Sequence, residues 1–210
     1  MANEDFDFDK KAASWDENPA RVGLASDIAG ALLGENILAS GMELLEYGCG
    51  TGLLTLRLSP VVKSVTGVDT SRGMLSVLEG KIKSKGLANI STRLLDPAAG
   101  ELLEGSYDAV VSSMTLHHVK EIAPLAARFY KVTKPGGHIF LADLDPDEGQ
   151  FHGENPTVFH DGIDRAWLKE ILTDAGFGQV RDKTAAMVER PLAEGGLRRF
   201  SIFLISGVKG

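Results

Sequence analysis

Residues 44–55 read LLEYGCGTGLLT, an apolar run that carries one acid, Glu46, and then breaks into glycine at alternate positions, Gly48, Gly50 and Gly52. In a strand-turn-helix unit such glycines let the backbone approach a ligand closely, while the next helix offers free amides and the positive end of its dipole. A phosphate-binding P-loop is excluded, because Leu53 and Leu54 follow Gly52 where a lysine and a hydroxyl residue would be needed. A dinucleotide site is disfavoured: its glycines run Gly-x-Gly-x-x-Gly, and these run Gly-x-Gly-x-Gly.

Outward from this turn, short apolar or β-branched runs recur at 42–47, 64–69, 90–96, 107–113 and 138–143, separated by segments of helical spacing. Residues 71–85 place Met74, Leu75, Leu78 and Ile82 on one face, and 121–132 do the same with Ile122, Leu125, Ala126 and Phe129. Asn18 and Pro19 make a cap and first turn for a helix with apolar Leu24, Ala25, Ile28, Ala29 and Leu32. A further helix from about Asp164 carries Trp167, Leu168, Ile171, Leu172 and Ala175 and stops at Gly176. Two long β-type runs, 177–188 and 197–208, are joined through ERPLAEGG and can pair only as antiparallel neighbours. The expectation is one α/β domain: a Rossmann-like, doubly wound seven-stranded sheet, mostly parallel with an antiparallel last strand, and helices on both faces.

At 210 residues, with 43% apolar and 24% charged, the chain can bury a full core. It has no run of roughly 18 apolar residues, and its acidic start, MANEDFDFDKK, lacks the features of a secretory signal, so the expected location is cytoplasmic, with no membrane partner. The single cysteine, Cys49, excludes an internal disulfide and a multi-cysteine zinc site. A net charge of -7 with dispersed cations argues against nucleic acid and makes a small or neutral substrate the default. A monomer or homodimer is expected.

Acids supply the next clue. Asp69 ends the second strand about twenty residues after the first glycine, where ribose hydroxyls are held in such folds, and Asp96 ends the third. Glu46 either offsets a nearby positive charge or is bonded within the strand. A ligand with a ribose and a cationic head suits these residues. In order and spacing, LLEYGCGTGLLT, VTGVDTSRGML (65–75), LLD (94–96), YDAVVSSMTLHHV (107–119) and TKPGG (133–137) resemble the motif series of class I S-adenosylmethionine-dependent methyltransferases of the small-molecule, ubiquinone/menaquinone type, over roughly residues 12–145. The resemblance implies S-adenosyl-L-methionine as cofactor, S-adenosyl-L-homocysteine as product, and a small-molecule acceptor methylated on oxygen, nitrogen or carbon. The alternatives are a non-catalytic S-adenosylmethionine-binding regulatory protein and a protein methyltransferase.

By the same resemblance, residues 1–40 would form cofactor-lid helices, 41–145 the cofactor-binding core, 146–163 an acceptor-side loop and 164–210 the closing helix and antiparallel strands. Gly48, Cys49, Gly50, Thr51 and Gly52 would wrap the methionine part, with Glu46 steadying the loop or the ammonium group. Asp69 would accept from the ribose hydroxyls, Thr70 and Met74 would wall the adenine, and Asp96 would accept from the adenine amino group. Ser112 and Ser113 would contact the methionine end, and Arg21 would pair with its carboxylate, with Trp15 closing the pocket edge or anchoring its helix.

The sequence departs from its relatives at three places. Pro97, after the third-strand acid, has no N–H to give adenine. Met114, His117 and His118 stand where the ubiquinone-pathway enzymes carry a Glu-x-x-Glu-His metal cluster, so no metal is expected. SSMT (112–115) replaces the Asn-Pro-Pro-Tyr type of motif of amino-methylating DNA enzymes. His117 and His118 are the candidate catalytic bases, and being adjacent, at most one is expected to face the pocket. His152 and His160 could line the acceptor side. The acids of DLDPDE (143–148) lack the glycine and closing glutamate of a calcium loop and read as a solvated loop.

Overall fold

The computed structural model describes residues 7–95, 101–153, 155–191 and 195–210. Seven strands make one sheet: β1 (Glu43–Tyr47), β2 (Ser64–Asp69), β3 (Ile90–Leu94), β4 (Tyr107–Ser113), β5 (Thr133–Leu144), β6 (Phe177–Pro191) and β7 (Leu197–Lys209), in the order β3-β2-β1-β4-β5-β7-β6. The first five strands pair in parallel, and β7 lies antiparallel between β5 and β6. The chain works outward from β1 to β3 and then returns to lay β4 on the other side of β1, so the strand order reverses between β1 and β4. A crevice opens beyond the carboxyl ends of such strands.

Alternation along each strand divides the core in two. Leu44, Val65, Val111 and Phe140 face α2 (Pro19–Leu33) and α3 (Thr55–Leu58), whereas Leu45, Val68, Val110 and Leu141 face α5 (Ile122–Val132) and α6 (Arg165–Asp174). Glu46 thereby falls on the α2 and α3 side, buried at 2% exposure. Between β2 and β3, α4 (Arg72–Lys85) packs Leu75 and Leu78 on Cys49. The helix starts follow the capping residues: Asn18 accepts from the Ala20 amide at 3.0 Å, Ser71 from Met74 at 3.1 Å and Asp164 from Trp167 at 2.8 Å. A short α1 (Phe8–Lys11) and a 3₁₀ turn (Ala12–Glu17) precede α2. No helix among the described residues is long and apolar enough to cross a membrane.

Three local differences from the sequence reading affect the site. β5 begins at Thr133 and absorbs TKPGG, because Gly137 lets the strand pass where a Cβ would lie 2.9 Å from the Asp108 carbonyl oxygen. β6 continues past Val188 to Pro191, so Arg190 stands on a strand rather than in the connecting turn. The acids of residues 143–148 are mostly buried and bonded, not solvated. Asp145 holds Arg165 through two hydrogen bonds of 2.7 and 2.6 Å, and Asp147 is 2% exposed and accepts the Phe151 amide at 2.5 Å, while Glu148 alone stays open.

Candidate active site

A cavity of about 390 Å³ lies at the β1/β4 crevice, within the range of small-molecule sites. One end is the glycine turn. Gly48, Gly50 and Gly52 take φ of +72°, +53° and +84°, a region that excludes most side chains. Two of them are packing requirements as well: a Cβ on Gly48 would lie 2.3 Å from Thr115 Cγ2, and one on Gly52 2.3 Å from Leu78 Cδ1. Gly50 has open space instead and lines the cavity. Asp69 braces the turn, accepting from the Gly50 amide at 2.7 Å and the Ser71 amide at 2.9 Å. Burial raises the Asp69 pKa, with those amides acting against it. Behind the turn, Glu46 accepts the Thr55 hydroxyl at 2.5 Å, and burial pushes its pKa up to about 8.

The amino-terminal segment roofs this end. Asp9 accepts from the Ser71 hydroxyl at 2.5 Å and the Gly73 amide at 2.7 Å, and Asp16 accepts from the Thr51 hydroxyl at 2.6 Å and from the Lys81 ammonium. Phe8, Trp15, Arg21 and Leu24 face the cavity. The Arg21 guanidinium lies 3.8 Å from the centre of the Trp15 ring and donates to the Trp15 carbonyl at 3.4 Å.

The other end is built from side chains. After β4, a 3₁₀ turn (Leu116–His118) brings both His117 and His118 to the cavity, so the expectation that only one would face it is corrected: the turn is tight enough to stack their rings with centroids 4.2 Å apart. His117 is 1% exposed, and its Nδ1 lies 2.7 Å from Asp143 Oδ1, at the end of β5. Asp143 is fully buried, and its other bonds come from the Leu116, His117 and Leu144 amides at 2.9, 3.4 and 2.8 Å. A carboxylate can only accept here, so Nδ1 is the donor to Asp143 and Nε2 is the ring nitrogen left for a ligand. His118 Nδ1 lies 2.8 Å from the Thr157 carbonyl oxygen, and burial lowers its pKa to about 4. His152 stacks on His117 at 4.4 Å, its Nε2 is buried without a partner, and burial lowers its pKa to about 3. Phe151, Asn155, Val188 and Arg190 complete this end.

Arg21, Glu46, Gly48, Cys49, Gly50, Thr51, Asp69, Thr70, Met74, Ser113, His117 and His118 therefore lie on one cavity, as do Trp15 and His152. Two expected contacts do not line it. Ser112 is buried and donates to the Tyr47 carbonyl at 2.9 Å, tying β4 to β1, and Gly52 packs on α4. His160 stands behind, 3.0 Å from the Val119 carbonyl oxygen. Asp96 and Pro97 lie outside the described residues. Burial pushes the Cys49 thiol pKa well up, which suits a packed side chain rather than a nucleophile. No group of His, Cys, Asp and Glu among the described residues could hold a metal ion. Sequence reasoning missed Phe8, Phe151, Arg190 and the partnership of Asp143 with His117. A period-two signal for Arg190 was present, since Ala186, Val188 and Arg190 share a strand face.

Comparison with known proteins agrees with this geometry. Residues 45–141 match the family model described as a methyltransferase domain. An uncharacterised methyltransferase of Schizosaccharomyces pombe is 35% identical over 54% of this chain and 43% of its own length. The ubiquinone biosynthesis O-methyltransferase of Pseudomonas aeruginosa is 28% identical over 62% of this chain and 53% of its own. The chain thus spans about half the length of the curated relatives it matches. Among solved structures, a SAM dependent methyltransferase from Aquifex aeolicus superposes with a TM-score of 0.69, covering 96% of this chain and 98% of its own at 20% identity, a likeness of fold.

Proposed function

We propose that this chain, whose residues 45–141 form a methyltransferase domain of the class I fold, transfers a methyl group from S-adenosylmethionine to a small molecule and releases S-adenosylhomocysteine. The donor end fits such a cofactor. The open space at Gly50 is a cradle that a Cβ would fill, Asp69 presents a carboxylate at its lip, and Arg21 has no carboxylate partner among the described residues. When bound, the cofactor supplies a methyl group already activated by its sulfonium, and transfer leaves a neutral thioether.

Asp69 and Thr70 would hold the ribose, Met74 the adenine face, and Arg21 the carboxylate. Glu46, neutral at pH 7 in the free protein, would ionise as a cationic head arrives. The roof of α1 and α2, latched by Asp9 and Asp16, excludes water and favours a small acceptor over a protein surface. His117 would act as base. Its Nε2 takes the proton released as an acceptor oxygen or nitrogen gains the methyl group, and Asp143 holds the ring and stabilises the resulting imidazolium.

The observation that carries the reading is that the Asp143–His117 pair and the glycine turn open onto the same cavity. Isothermal titration should give saturable binding of S-adenosylhomocysteine, and labelled methyl groups should pass into a small-molecule fraction of a metabolite extract. Absence of binding overturns the reading, and binding without transfer to any fraction points to the non-catalytic alternative.

A further inference from the structure

Half of the lysines and arginines of this chain sit within 4 Å of a carboxylate among the described residues. Arg93, Arg165, Arg181, Arg198 and Arg199 each sit within 4 Å of a carboxylate. Arg190, half-buried at the end of β6, is different. Its guanidinium is stacked 3.8 Å over the Phe151 ring and donates once, to the Phe151 carbonyl at 3.0 Å, and it has no carboxylate partner among the described residues. Stacking fixes the plane of the group and leaves most of its donors unused.

The rest of the cavity does not neutralise it. Its only acidic lining residues among those described are Glu46 and Asp69, and both belong to the glycine turn at the opposite end, one bonded by Thr55 and the other by backbone amides. Asp143 is taken up by His117. Arg21 likewise has no carboxylate partner among the described residues, and burial, with repulsion from Arg21, lowers the pKa of Arg190. On the same Phe151 ring, His152 contributes a buried Nε2 without a hydrogen-bond partner among the described residues. Two half-buried cations facing one cavity call for two anions, since an uncompensated charge away from water is unfavourable. The methionine carboxylate of the cofactor is one.

We infer that Arg190 is the anchor for an anionic group, a carboxylate or a phosphate, on the methyl acceptor, and that the acceptor's body is a flat ring seated among Phe151, His117 and His152. This rests on the methyltransferase reading for the identity of its second anion, and it replaces the neutral substrate suggested by net charge alone. The cation and the partner of the base come from different strands, Arg190 from β6 and Asp143, which holds His117, from β5, so together they fix the acceptor at two points.

The test is equilibrium titration of the full chain, free and saturated with S-adenosylhomocysteine, with benzoate, phenyl phosphate and uncharged benzyl alcohol. At least one anion should bind about tenfold or more tightly than the alcohol, as charge-assisted bonds to a guanidinium allow, and the tighter of the two names the acceptor's class. In R190Q that preference should vanish while S-adenosylhomocysteine affinity stays within about twofold. Should R190Q fail to fold, R190K keeps the charge and loses the fork, and a reduced preference is expected. A wild-type protein without anion preference overturns the inference, as does full preference in R190K, or an R190Q protein that loses S-adenosylhomocysteine and keeps the anion. If the wild type binds the anion through Arg190 but never binds S-adenosylhomocysteine, the anion site stands and the methyl-donor reading falls.

Discussion

The two ends of the cavity are made in different ways. The donor end is backbone: a contiguous turn with three left-handed glycines, braced by one carboxylate that accepts two amides. The acceptor end is side chains drawn from β5, β6, a 3₁₀ turn and a loop, and among the described residues it contains a buried nitrogen with no partner and a guanidinium with no acid. A backbone site is specified by residues adjacent in sequence. A side-chain site exists only after distant elements have packed.

Breaking the acceptor end at its most buried point should have the largest effect. Asp143→Ala leaves four donors, the His117 ring and the Leu116, His117 and Leu144 amides, facing nothing, and should lower stability by about 3–5 kcal/mol. Urea denaturation measures it, and a loss below about 1 kcal/mol would contradict the buried pair. At the donor end, Gly48→Ala combines a left-handed backbone with a 2.3 Å clash against Thr115 and should cost about 3 kcal/mol. Gly50→Ala meets no neighbour, so its stability should fall by only about 1–2 kcal/mol. The added methyl group should show instead as weaker S-adenosylhomocysteine binding. Equal losses of stability for the two variants would remove the distinction between a packed and an open glycine.

The ends should also respond to pH in opposite directions. Burial raises Glu46 from 4.5 to about 8, so the folded protein holds that proton more tightly than the unfolded chain. Its contribution is intact below pH 4.5 and is lost as pH rises through about 8. Glu46→Gln should therefore stabilise the free protein at pH 8 by roughly 1–3 kcal/mol while weakening its hold on a cationic ligand. His152, lowered from 6.5 to about 3, behaves in reverse: its contribution is intact above pH 6.5 and is lost as pH falls towards 3. His152→Phe should flatten the acid side of the stability profile, by roughly 1–2 kcal/mol at pH 5. Thermal melts of the two variants between pH 4 and 9 that shift in the same direction would mean that these groups are not what separates the two ends.

This division also governs what could be read beforehand. The glycine turn, the strand-ending Asp69, the cap at Asn18 and the helix starts near Ser71 and Asp164 are local, and their spacing was enough to place them. The seven strands and the antiparallel pairing of the last two followed from alternation and from the short link between them, whereas their spatial order came only with the structure. Asp143 was visible as a strand end and as one acid of a polar cluster, but nothing local tells that β5 lies beside β4 at the register that brings it to His117. Arg190 was assigned to a turn because Pro191 and the glycines after it resemble a break, whereas pairing with β7 carries β6 through to Pro191. The Ser112 side chain has a role its motif did not signal, donating across to the Tyr47 carbonyl and tying β4 to β1.

Arg190 lies on the penultimate strand, and β6 reaches the sheet only through β7, which is the strand bonded to β5. During synthesis the turn at residues 48–52 and its neighbours β2 and β4 can assemble while the last strands are still being made. The cation that closes the far end cannot take its place until β7 has emerged and paired with β5 across a long stretch of chain. A nascent or truncated chain would therefore pass through a stage with a formed glycine turn and an incomplete cavity, able to hold one ligand before it can select the other.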